Sequence, residues 1–175
     1  MTGTGDRGPG ASSAGRAVLV LCLGNDLLRD DGIGLAIADE IEAELNRSPV
    51  FGPWSQPIVV RKTALSGFYL LDELTGFDAA VVVDAVRTGV HAPGTVHTLP
   101  FESLRSRSGP SPHAAGLPTV IRLGRQSGVP LPERIHVVAV EVDDIESIGE
   151  GLTPAVARAI PAARDAVLAA LEAVR

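Results

Sequence analysis

The residues best suited to chemistry are three aspartates near the start of the chain, Asp26, Asp30 and Asp31. They follow the unbroken apolar run 18–23 and precede a Gly-Ile-Gly sequence at 32–34. An apolar run of this length is typical of a strand buried on both faces. The helical spacing of apolar residues after the glycines predicts a helix. The sequence therefore predicts a buried strand, an acidic loop and a helix.

An acidic loop at the carboxyl end of a strand is a candidate ligand site, because open α/β sheets bind ligands at that edge. Two adjacent aspartates would repel a phosphate, which argues against a nucleotide. Asp30 or Asp31 can instead cap the following helix, since aspartate is a favoured N-cap residue. One side chain satisfies that cap, and the second carboxylate is left for another role.

Two further residues could join this loop. Asp84 lies at the carboxyl end of a predicted third strand, where a solvated strand end and a ligand-binding group are equally compatible with the sequence. His113 follows Ser111 and Pro112, which are suited to the first positions of a helix. A helix N-terminus favours the neutral imidazole that ligates metals, although a single histidine after a loop is more often an exposed bystander.

The order of elements predicts the fold class. Strands alternate with helices, which indicates an α/β three-layer sandwich with a mostly parallel, twisted sheet of about five strands and helices on both faces. A strand after the Pro93-Gly94 turn is expected at the sheet edge, where it can run antiparallel, with His97 pointing to solvent. Pro161 is predicted to kink the last helix.

In this fold Asp31 and Asp84 would leave the carboxyl ends of two strands, and His113 could converge on them. Two carboxylates and one imidazole form a metal site that leaves coordination positions open. The sequence contains no Gly-x-Ser-x-Gly, His-Glu-x-x-His, Cys-x-x-Cys or P-loop motif. Hydrolysis would therefore have to be metal-assisted, with Asp31 and Asp84 as catalytic candidates.

Composition limits the other possibilities. The 175 residues fit one domain over 17–175, preceded by a Gly-, Ser- and Thr-rich tail over 1–16 that is expected to be disordered and lacks the apolar core of a signal peptide. A net charge of -6 without a basic patch argues against nucleic acid and membrane partners. The single cysteine, Cys22, excludes a disulfide framework and favours a reducing compartment, the cytoplasm.

Five short segments of the chain, taken in order, resemble motifs of the nickel–iron hydrogenase maturation endopeptidases. The matching segments are 23–34, 81–85, 93–95, 111–117 and 151–154, and the resemblance covers about residues 17–174. It implies an aspartic-type, metal-dependent endopeptidase that removes a C-terminal peptide from a hydrogenase large-subunit precursor. It also implies that Asp31, Asp84 and His113 bind nickel, the cofactor, which the substrate supplies. The expected partner is that precursor, and the protein is expected to act as a monomer.

The sequence departs from the family pattern in two places that affect the site. Asp31 stands where the family often has glutamate, and Arg61-Lys62-Thr63 replaces an acidic residue that often follows the second strand. Lys62 therefore favours an alternative, a non-catalytic nickel-binding or assembly factor that keeps the three ligands. A third interpretation, a peptidyl-tRNA hydrolase-like protein, shares the strand-Gly-Asn opening but is disfavoured by the net charge of -6.

Overall fold

The computed structural model describes residues 17–47, 56–103 and 116–174. Residues 1–16, for which a disordered tail is predicted, lie outside the described residues, and so does His113. The main elements, in chain order, are β1 (Val18–Leu23), α1 (Ile33–Arg47), β2 (Ile58–Thr63), α2 (Tyr69–Leu74), β3 (Ala79–Val86), β4 (Val96–Pro100), α3 (Leu117–Gln126), β5 (Arg134–Glu141), α4 (Pro154–Ala157) and α5 (Ile160–Ala173). Short 3-10 turns lie at Arg29–Gly32 and Phe101–Ser103.

The five strands form one sheet in the order β2-β1-β3-β5-β4. β2, β1, β3 and β5 are parallel, and the edge strand β4 runs antiparallel to β5. This arrangement confirms the predicted α/β fold with a mostly parallel five-stranded sheet. No helix in the described ranges is long and apolar enough to cross a membrane.

Each face of the sheet carries its own hydrophobic core. The core on the first face contains residues of α1, α4 and α5, and the core on the second face contains residues of α2 and α3. Because side chains alternate along a strand, even-numbered residues of β3 such as Val82 and Asp84 lie on the second face. The two-sided burial explains why β1 reads as an unbroken apolar run.

The last helical segment differs from the prediction of a kink. α4 ends at Ala157, and a separate helix α5 begins at Ile160, with Pro161 in its first turn. Proline is tolerated there because the backbone N–H that it lacks has no intrahelical partner in a first turn. α3 likewise has a proline, Pro118, in its first turn.

Candidate active site at the carboxyl edge of the sheet

The 3-10 turn Arg29–Gly32, called the aspartate turn below, is held against the end of β1 by close backbone contacts. A Cβ atom on Gly24 would lie 2.5 Å from the carbonyl oxygen of Asp31, and one on Gly34 would overlap the carbonyl oxygen of Leu23. Only glycine permits these approaches. The glycines that bracket the aspartates therefore bring the turn and the start of α1 onto the end of the strand.

Asp31 and Asp84 are both buried at the carboxyl edge of the sheet, with 0% and 1% of their surface exposed. The aspartate turn that carries Asp31 contacts β3, the strand that carries Asp84. Asp84 lies inside β3, which continues to Val86, rather than at its last residue. The structure thus places the two predicted carboxylates on contacting elements.

The third predicted ligand, His113, lies outside the described residues, so its placement at a helix N-terminus stays a prediction. The described helix that follows it, α3, begins at Leu117, which is buried in the core of the second face. That is the face on which Asp84 lies. Within ranges 17–47, 56–103 and 116–174, no cluster of three or more His, Cys, Asp or Glu residues could hold a metal ion.

Asp30 has a structural duty different from the helix cap considered above. Its carboxylate accepts hydrogen bonds from the backbone N–H and the hydroxyl of Thr153, at 2.7 and 3.0 Å. It also accepts from the backbone N–H groups of Asp144 and Asp143, at 3.2 and 3.4 Å. Asp30 therefore anchors the loop between β5 and α4, and the ligand-binding role expected of Asp31 stays a prediction.

Glu141 is a buried carboxylate that sequence reasoning did not single out. It ends β5 and accepts hydrogen bonds from the backbone N–H and hydroxyl of Thr88, at 2.6 and 2.7 Å, and from the N–H of Gly89, at 2.8 Å. These contacts hold the loop that follows β3. The sequence signal, an acidic residue at the end of an apolar strand, is the same for Glu141 as for Asp84.

His97 does not point freely to solvent, and that prediction is wrong. It pairs in register with Ala139 of β5, and Asp84 pairs with the same residue from the other side. His97 therefore lies on the second face of the sheet with Asp84. Its Nε2 atom is buried without a hydrogen-bond partner in the described part of the chain, and its ring packs 4.5 Å from that of His91.

Lys62, the residue in place of a family acid, is engaged away from Asp84. Its ammonium group donates to Asp39 at 2.6 Å and to Glu42 at 3.0 Å, both on α1. These hydrogen bonds raise the pKa of Lys62 above its usual value. Lys62 also pairs in register with Cys22, a residue of the first-face core, so it lies across the sheet from the face of Asp84.

Cys22 is a core residue and not a nucleophile. Burial raises the pKa of its thiol to about 12, so the thiolate is not formed at neutral pH. Cys22 is therefore not a candidate for the reacting group.

Comparison with known proteins shows that this chain is similar to a class of proteases. A profile of the family described as hydrogenase maturation protease matches residues 63–170. The hydrogenase 2 maturation protease of Escherichia coli is 31% identical over 156 residues, covering 88% of this chain and 90% of that protein. The chain belongs to the hydrogenase maturation protease family.

Solved structures agree. The hydrogenase maturating endopeptidase HybD from E. coli superposes with a TM-score of 0.66 at 30% identity, over 90% of this chain and 93% of that one. HybD from Thermococcus kodakarensis, at 24% identity, shares the fold with a TM-score of 0.63 over 91% and 99% of the two chains. Because the relatives are named as proteases, the non-catalytic alternative and the peptidyl-tRNA hydrolase interpretation are not favoured.

Proposed function

We propose that this protein is an endopeptidase that removes a C-terminal peptide from the nickel-loaded precursor of a nickel–iron hydrogenase large subunit. The observation that carries the proposal is the burial of Asp31 and Asp84 on contacting elements at the carboxyl edge of the sheet, in a member of the maturation protease family. The precursor is the proposed partner. We infer that the protein works in the cytoplasm as a monomer, in keeping with its single buried cysteine.

In this proposal the nickel arrives with the substrate, and Asp31, Asp84 and His113 bind it. Carboxylate and imidazole groups are both ligands for divalent transition metals, and nickel accepts imidazole well. Two buried negative charges favour a divalent cation over a neutral peptide, because desolvated charges are stabilised by an opposite charge. Recognition of the metal would make the enzyme selective for precursors that already contain it.

The chemistry proposed is metal-assisted hydrolysis of an aspartic type. The carboxylates of Asp31 and Asp84 hold the metal-bearing segment of the substrate, which fixes the neighbouring peptide bond in the site. A carboxylate oxygen of Asp31 or Asp84 within hydrogen-bond reach of the attacking water can accept its proton and then donate that proton to the leaving amine as the peptide C–N bond breaks. Lewis-acid activation by the metal of the substrate fits the same arrangement.

Mass spectrometry of a large-subunit precursor, prepared with and without nickel, tests the proposal. Wild-type protein should shorten the loaded precursor and leave the metal-free one intact. Asp84→Asn should slow the cleavage by at least about 100-fold, because a carboxylate that binds or accepts a proton is lost. Asp72→Asn, at an exposed position on α2, is the matched control and should cleave at the wild-type rate. Wild-type protein that binds the loaded precursor without shortening it would contradict the proposal.

A further inference from the structure

The Gly-Leu-Thr-Pro segment at 151–154 is a motif whose role the proposed chemistry leaves open. Its threonine contacts the aspartate turn, although Thr153 and Asp30 are 123 residues apart in the sequence. The backbone N–H and the hydroxyl of Thr153 donate to the two carboxylate oxygens of Asp30. Gly151 has a φ of +78°, a conformation that favours glycine, two residues before Thr153. The motif and the aspartate turn are therefore two parts of one hydrogen-bonded unit.

The rest of the loop between β5 and α4 reinforces this contact. The backbone N–H of Asp30 donates to the carbonyl oxygen of Asp144 at 3.0 Å, and the N–H of Gly149 donates to the carbonyl oxygen of Leu27 at 3.1 Å. Leu28 forms isolated β-bridges with Ile148 and Gly149. The loop thus lies along the chain on both sides of Asp30 and holds its backbone as well as its side chain.

We propose that Asp30 and Thr153 are positioning residues that fix the carboxylate of Asp31 at the site. Asp31 directly follows Asp30 in a turn of four residues, so any rotation of the turn moves its side chain. Asp30 is fully buried, and within the described residues its carboxylate accepts hydrogen bonds from the β5–α4 loop. Removing the carboxylate of Asp30 or the hydroxyl of Thr153 leaves a buried hydrogen-bonding group of the other residue unsatisfied. That loss favours a shift of the turn. This inference rests on the proposed function only for the role of Asp31.

The chain contains a matched pair of residues for testing the idea. Thr88 donates its hydroxyl to Glu141 at 2.7 Å, as Thr153 does to Asp30 at 3.0 Å, and both carboxylates are buried at the same edge of the sheet. The Thr88 contact holds the loop after β3 and not the aspartate turn. Thr88→Val and Thr153→Val therefore remove the same kind of hydrogen bond from different loops.

Hydrogen–deuterium exchange of the full chain measures the positioning directly. Thr153→Val should speed amide exchange in residues 26–34 by about tenfold, because local opening of the turn no longer has to break a hydrogen bond to a buried carboxylate. Thr88→Val should leave exchange in that segment unchanged. Thr153→Ser keeps the donor and should restore slow exchange. Equal exchange in 26–34 for the two valine variants would overturn the inference, and so would failure of the serine variant to restore it.

Calorimetry with Ni²⁺ alone separates this inference from the proposed function. If wild-type protein binds Ni²⁺, Thr153→Val should weaken binding by about tenfold and Thr88→Val should not. Equal affinities for the wild type and Thr153→Val would overturn the positioning role. Wild-type protein that neither binds Ni²⁺ nor cleaves a loaded precursor would overturn the proposed function, while the exchange result would still decide whether Thr153 fixes the turn.

Discussion

Asp84 of β3 and His97 of β4 lie in one row across the sheet, because each pairs in register with Ala139 of β5. Two strand spacings separate their Cα atoms by about 10 Å, and Ala139 is the residue between them in this row. The second face of the sheet thus carries a carboxylate and an imidazole on strands two apart.

This row predicts an effect of His97 on the reaction. His97→Ala should lower kcat/KM for the loaded precursor by about tenfold, because the variant lacks the buried Nε2 that is available, among the described residues, to hydrogen-bond an incoming substrate. His136→Ala is the matched control, because His136 also lies in a strand with a buried ring nitrogen but is paired with Val81, away from Asp84. Steady-state kinetics that show equal losses for both variants would contradict a role for His97.

Asp31 should tolerate a longer carboxylate but not its loss. Asp31→Glu introduces the residue that the family often has. It should retain cleavage within about tenfold, because a carboxylate remains at this position. Asp31→Asn should slow cleavage by at least about 100-fold, as expected for loss of a group that binds the metal or accepts a proton. A precursor cleavage assay checks both, and an active asparagine variant would exclude Asp31 from the site.

The glycines next to the aspartate turn should differ in their tolerance of a methyl group. Gly34→Ala should destabilise the fold by about 3 kcal/mol, because its Cβ would overlap the carbonyl oxygen of Leu23. At Gly32 the nearest atoms to an added Cβ are 3.7 Å away, an ordinary contact, so Gly32→Ala should change stability by less than about 1 kcal/mol. Denaturant unfolding compares the two variants, and equal midpoints would show that the close approach at Gly34 is unimportant.

Lys62 should contribute little to either activity or stability. Its side chain is 34% exposed, and its partners Asp39 and Glu42 are more exposed still. Ion pairs of this kind contribute up to about 1 kcal/mol. Lys62→Gln should therefore leave kcat/KM unchanged and lower stability by no more than that amount. A large loss of cleavage in this variant would show that Lys62 itself contributes to the reaction.

The thiol of Cys22 provides a test of burial that depends on pH. Its pKa is raised from 9.0 to about 12 by burial, so the folded protein keeps the thiol protonated at pH 9 while the unfolded chain begins to ionise. The stability gained from the neutral buried thiol is complete below pH 9 and is lost as pH rises from 9 toward 12. Iodoacetamide at pH 9 should modify Cys22 in urea and not in the native protein. Equal rates of modification in urea and in the native protein would show that β1 opens readily.

The local units of the fold can be predicted from the amino-acid sequence alone. The apolar run of β1, the glycines around the aspartates and the alternation of strands and helices predict the fold, because each pattern depends on neighbours in the chain. The same patterns predict Asp31 and Asp84 at one edge, since the carboxyl ends of parallel strands meet there. Both residues lie on contacting elements in the structure, and the roles assigned to them remain proposals.

Which carboxylates anchor loops depends on contacts between segments that are distant in the sequence. Asp30 and Asp31 are neighbours of the same type, and Glu141 and Asp84 share one sequence pattern, yet Asp30 and Glu141 anchor loops through donors far away in the sequence. The face on which His97 lies depends likewise on its register with β5. Local propensity carries no information on such long-range pairing, because hydrogen bonds between distant segments form only when the sheet brings those segments together.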